Sequence, residues 1–170
     1  MPRKFVILLL LLTGGCVSIP DNVKPVSGFE PDRYLGRWYE IARLDHSFER
    51  GLEKVTAEYS YRKDGGIKVI NRGFSPDKNK WKEAEGKAYF VESPDIGRLK
   101  VSFFGPFYGG YNIIELDKEN YSYAIVCGPD KSYLWILART PQIEKTLLER
   151  LVNKAKKSGF QTVDLIYVKQ

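Results

Sequence analysis

The chain is 170 residues long, the size of one domain, with 27 Lys and Arg against 21 Asp and Glu and a formal net charge of +6. Hydrophobic residues make up 43% and there are two Cys, which excludes a disordered chain, a collagen-like repeat and a disulfide scaffold. Only one apolar run is continuous, so a multispan helical membrane protein is excluded, and the feature left to explain is the aromatic content of 11 Tyr, 9 Phe and 3 Trp.

Residues 1–15 read as a signal peptide. Arg3 and Lys4 precede the apolar run from Phe5 to Leu12, and Thr13-Gly14-Gly15 supplies small residues before Cys16. Eight helical residues reach about 12 Å, far short of a bilayer core of about 30 Å. The sequence into Cys16 resembles the lipobox of bacterial lipoproteins, although Thr13 stands where that motif prefers Leu. The resemblance implies a diacylated Cys16 as the lipid anchor; the alternative is ordinary secretory cleavage nearby. Several acyl chains anchor stably where one is marginal. An acylated Cys16 leaves Cys127 without a disulfide partner. Loss of residues 1–15 also removes Arg3 and Lys4, so the basic balance says little about partners.

Residues 16–33 carry Pro20, Pro25 and Pro31 and read as a semi-extended tether, with the folded domain at 34–170. Segments of strand length follow, separated by turn chemistry: Gly36 to Asp45, Val55 to Arg62, Ile67 to Phe74, Trp81 to Val91, Arg98 to Phe104, Tyr111 to Leu116, Tyr121 to Cys127 and Tyr133 to Arg139. Eight strands joined by short loops without helical crossovers predict an all-β fold, an antiparallel up-and-down barrel that leaves no open edge. One helix follows over about 141–158. Thr140 is its expected N-cap, Pro141 its first residue, and Ile143, Leu147, Leu148, Leu151, Val152 and Ala155 form one apolar stripe to lie outside the barrel. Val163 to Val168 reads as a short final strand.

Period-two alternation sorts the faces. Tyr59 points inward with Val55 and Ala57; Val101 and Phe103 point inward with Leu99. On the fourth strand the inward set is Ala84, Gly86, Ala88 and Phe90, and three small residues in a row leave space rather than fill a core. The alternative is that they accommodate bulky residues opposite. An eight-stranded barrel is of the size that either fills or holds one small ligand.

Tyr34-Leu35-Gly36-Arg37-Trp38-Tyr39-Glu40-Ile41-Ala42-Arg43 resembles the first signature of the lipocalin family, Gly-x-Trp at the start of the first strand. Glu119-Asn120-Tyr121 before the seventh strand and Arg139 at the end of the eighth fit the same pattern over residues 29–170; the second signature departs from the family consensus. Together with the lipobox, Gly105 to Asn112 and Cys127-Gly128-Pro129-Asp130, the chain is most similar to the bacterial outer-membrane lipoprotein lipocalins. That resemblance implies a lipid-anchored protein of the outer membrane, at its periplasmic face. It would bind, store or transport fatty acids or lysophospholipids, with self-association left open. Gly36, Trp38 and Arg139 are then structural: Trp38 plugs the closed end and the Arg139 guanidinium stacks on its indole. Trp135, with Tyr133 and Leu137, faces the cavity, and Phe107 and Tyr108 sit at the mouth. The expected ligand-lining set is Tyr59, Ala84, Ala88, Phe90, Val101, Phe103, Tyr108 and Trp135.

No catalytic residue, metal site or cofactor is expected. His46, the only His, reads as a solvated residue beside Asp45, and Cys127 lies at the rim with no base near it in sequence. Glu40 shares parity with Trp38, so it is either an inward acid pairing with Arg139 or turned outward by a bulge. Lysines alternate with inward apolar residues rather than forming a stripe, and with the envelope address this argues against nucleic acid. The alternative function is a structural envelope lipoprotein with a filled barrel and protein partners only.

Overall fold

The computed structural model describes residues 17–170; the expected signal peptide and Cys16 lie outside the described residues. A short helix α1 (Pro31–Tyr34) leads into strands β1 (Gly36–Arg43), β2 (Glu53–Tyr61), β3 (Ile67–Ser75), β4 (Lys80–Phe90), β5 (Arg98–Phe104), β6 (Phe107–Leu116), β7 (Tyr123–Cys127) and β8 (Leu134–Ala138). Helix α2 (Lys145–Lys157), a 3₁₀ turn and the two-residue β9 (Ile166–Tyr167) complete the chain. Each strand pairs antiparallel with the next, and β1 pairs with both β8 and β2, which closes an eight-stranded barrel. β9 pairs outside the barrel with the upper part of β1, through Ala42↔Tyr167 and Arg43↔Ile166.

Two cores follow from the alternation. Trp38, Tyr59, Ile67, Val69, Leu99 and Val126 fill the lower interior. Ile41, Cys127, Leu134 and Ile136 project outward and bury the Leu151–Ala155 side of α2. The helix is shorter than its apolar stripe: Glu144 is its N-cap, and the Thr140 hydroxyl donates to the Gln142 carbonyl rather than accepting from a helical N–H. β6 begins at Phe107, four residues earlier than expected, because Gly105-Pro106 alone makes the turn and Phe104 pairs with Phe107.

The stretch expected to be a tether is largely docked on the barrel. Val26 N donates to Ile113 O, Gly97 N to Val26 O, and Phe29 N to Asp95 O. Phe29 is buried beneath the barrel with its ring 5.2 Å from Tyr34 and 6.2 Å from Phe90. The apolar Val26 and Phe29 gain more by covering the closed end than three prolines gain by staying extended.

Candidate functional site

The first, third, fifth and seventh interstrand loops gather at one end of the barrel, where a cavity of about 410 Å³ opens. Its other end is shut. Trp38 is wholly buried and its Nε1 donates to the Tyr34 carbonyl at 2.8 Å. The Arg139 guanidinium lies 4.0 Å from the indole, and its three nitrogens donate to Tyr121 O, Arg37 O and Arg33 O. Gly36, with φ +91°, turns the chain into β1 directly beside that guanidinium. Above this plug, Tyr111 Oη stands 2.8 Å from both Tyr34 Oη and Tyr59 Oη, so the cavity floor is a chain of three hydroxyls in an otherwise apolar setting. Burial pushes all three phenols above their ordinary pKa, which keeps them neutral.

Of the expected lining set, Tyr59, Val101, Phe103, Tyr108 and Trp135 border the cavity, joined by Val69, Phe48, Tyr133 and Leu137. Ala88 borders a smaller void below, with Ile67 and Leu99, and Phe90 packs on Phe29 in the closed-end core. Ala84 is corrected: it is exposed and off the cavity wall, because β5 pairs β4 only from Lys87 to Phe90 and leaves the rest of β4 projecting past it. Gly86 does accommodate a bulky neighbour, since a Cβ there would stand 2.8 Å from the Phe103 ring. Gly86 therefore seats Phe103, and the small residues of β4 do not by themselves make the cavity.

Tyr108 borders the mouth as expected. Gly109 and Tyr111 take the inward positions of β6, so its ring leans to the outer face. There it lies 6.3 Å from the Tyr89 ring, with the Lys100 and Lys87 ammonium groups 5.0 and 5.9 Å from its centroid.

The polar part of the wall was the least legible in sequence. A bulge between Glu40 and Ala42 leaves Glu40 facing in opposite Leu137 and turns Arg43 in as well, opposite Trp135. Glu40 is thus the inward acid, yet its partner is Arg43, whose Nη1 donates to Oε1 at 2.9 Å, and not Arg139. Arg43 is 1% exposed and also donates to the Glu49 carbonyl. The Glu49 carboxylate accepts from Trp135 Nε1 at 3.0 Å and lies 2.8 Å from His46 Nε2. His46 is accordingly buried rather than solvated, with its ring stacked 3.9 Å from Phe48. Burial, the neighbouring Glu49 charge and a hydrogen bond with Glu49 hold the Glu40 carboxyl well above the ordinary carboxylate range, against the pull of Arg43. Cys127 is corrected from rim to core: it is fully buried on the α2 side, and burial pushes its thiol up to about 12. A thiol so held is no nucleophile.

Residues 29–170 match the family model described as a lipocalin-like domain. The chain is a lipocalin. The outer membrane lipoprotein Blc of Vibrio cholerae is 61% identical over 170 residues, covering all of this chain and 99% of that protein. The protein of the same name from Escherichia coli strain K12 is 57% identical over 151 residues, covering 89% and 85%. Among solved structures, insecticyanin from the tobacco hornworm Manduca sexta matches with a TM-score of 0.70 at 24% identity, over 90% of this chain and 87% of that one. With relatives so named matching 89% or more of its length, this lipocalin is a lipid-anchored protein of the outer membrane.

Proposed function

We propose that this lipocalin binds fatty acids or lysophospholipids in the barrel cavity and stores or transports them at the periplasmic face of the outer membrane. The observation that carries the reading is the open cavity of about 410 Å³, walled by Val69, Val101, Phe103, Trp135 and Leu137 and plugged below by Trp38. A barrel filled by its own side chains, the structural-lipoprotein alternative, would leave no such space. Binding is passive. At about 25 cal/mol per Å², burying a few hundred Å² of an acyl chain gives several kcal/mol before the costs of association. The polar headgroup stays at the mouth, since the wall's polar groups are few: Asn71, the tyrosine hydroxyls and an acid pair already served by Arg43.

A fluorescent fatty acid or lysolipid titrated into protein lacking residues 1–16 is expected to saturate at micromolar concentration or below and to quench Trp emission. Trp135→Ala should weaken that binding about tenfold, by roughly 1.4 kcal/mol, through loss of an apolar wall. Absence of saturable binding across a lipid panel would sink the carrier reading.

The anchor belongs to the same proposal, with Cys16 as the acylated residue. Radiolabelled palmitate should enter the wild-type protein in cells and be lost in Cys16→Ser. Equal labelling of the two would refute it.

A further inference from the structure

The side chains and the N-terminal segment converge on the same end of the barrel. Among the described residues, every exposed phenylalanine and tryptophan is at the open end: Phe48, Trp81, Phe103, Phe104 and Phe107. Phe104 and Phe107, 79% and 66% exposed, stack on one another at the tip of the β5–β6 turn, and Phe48 is 58% exposed across the mouth. Exposed Lys78, Lys80 and Lys82 flank Trp81 on the β3–β4 hairpin. Exposed rings gathered at one end of a barrel, with lysines on the same rim, are costly in water and well matched to the boundary between lipid headgroups and acyl chains. Lysines there gain from anionic headgroups as well.

The N-terminal segment reaches that end independently. From the closed end at Phe29 it runs back along the outside of the barrel. There Ser18 Oγ donates to the Pro129 carbonyl of the β7–β8 loop, and Asn112 Nδ2 donates to Ser18 O. The same carbonyl sits over Gly110, 2.8 Å from where a side chain would begin, and Arg98 Nη2 donates to Val17 O. Gly110 and Pro129 both border the cavity mouth. Residue 16 is two residues from Ser18, which extended chain can carry no further than about 7 Å.

We propose that the open end of the barrel faces the bilayer that holds the anchor, with Phe48, Phe104 and Phe107 seated in the lipid interface. The inference rests on Cys16 as the anchor but on no property of a bound ligand. Its consequence for the carrier is direct: a lipid leaving the bilayer enters the cavity without crossing water. The free chain between anchor and Ser18 is too short to let the barrel turn its closed end to the membrane while those hydrogen bonds persist.

The test uses the full acylated lipoprotein in vesicles of phosphatidylethanolamine and phosphatidylglycerol, with part of the lipid brominated along its acyl chains. An environment-sensitive fluorophore is placed by K78C or F107C at the open end and by K63C or K118C at the closed end. Strand length separates the two ends by on the order of 30 Å, so only one can lie within reach of the quencher. Open-end labels should be quenched at least about threefold more than closed-end labels, and F104S combined with F107S should lower the quenching at residue 78. The lysine positions leave every aromatic ring in place, so they report even if a mouth variant folds poorly. Equal quenching at both ends, or quenching at residues 63 and 118 alone, overturns the proposal. So does an F107C label that is shielded from aqueous iodide but untouched by bromolipid, which would mean a second copy or another protein covers this face. None of these readings depends on whether fatty acid binds, so a failed docking experiment and a failed carrier reading are told apart.

Discussion

Replacing Arg43 with alanine is expected to cost about 3–5 kcal/mol of folding stability at neutral pH, a large share of what a domain of this size has. The guanidinium is 1% exposed and is the ion-pair partner of Glu40, in a cluster where Glu49 is a second buried acid. Its removal leaves two neighbouring carboxyls in a low-dielectric wall and takes away one of the two donors to the Glu49 carbonyl. The loss should depend on pH with a defined sign. Glu40 is held above its ordinary value in the folded protein, so its contribution to stability is complete below the ordinary carboxylate range and is lost as pH rises through the elevated folded value. Taking away Arg43 removes the neighbouring guanidinium that lowers that value and enlarges the loss. Urea unfolding at pH 5 and pH 8 should therefore show a greater deficit for Arg43→Ala at pH 8. Glu40→Gln, which imitates the neutral acid, should flatten the decline seen in the wild type. A deficit independent of pH would mean that Arg43 matters for packing alone.

Trp38→Ala is the second large effect, about 3–5 kcal/mol, and should lower the melting temperature by roughly 10 °C or more. The indole has no exposed surface, holds the Tyr34 carbonyl and carries the Arg139 guanidinium on its face. Without it the plug opens beneath the tyrosine floor and the cavity drains toward the closed end. Arg139→Lys should cost less, about 1–2 kcal/mol, because the charge remains while a flat fork bonded to three backbone carbonyls does not. Thermal melts of the two variants beside the wild type check the ranking.

Much of this was legible before the structure. Alternation along Thr56–Arg62 and Lys100–Phe103 assigned Tyr59, Val101 and Phe103 to the inside correctly, because a strand buried on one face writes its parity into the chain. The same rule does not reach Arg43, since one bulged residue after Glu40 inverts every face beyond it. His46 and Glu49 lie in an irregular loop with no period to interpret, and only the fold brings Trp135 and Phe48 over them. Tyr108 was placed at the mouth by position, but its ring direction depends on the tight Gly105-Pro106 turn that starts β6 early.

The aromatic count with which the sequence stands out thus divides by location: a plug at Trp38, a floor at Tyr34, Tyr59 and Tyr111, a wall at Phe103, Tyr133 and Trp135, and an exposed rim at Phe48, Phe104 and Phe107. The sequence by itself determined the eight-stranded barrel, its helix, its plug and its membership of a lipid-anchored family, because strand period, turn residues and Gly-x-Trp are local signals. The tertiary structure alone decided that Glu40 pairs with Arg43, that Gly86 seats Phe103, and that the N-terminal segment docks at Ser18 beside the mouth. Each of those depends on residues tens of positions apart meeting in space, and on a bulge or tight turn whose one-residue shift no periodic pattern records.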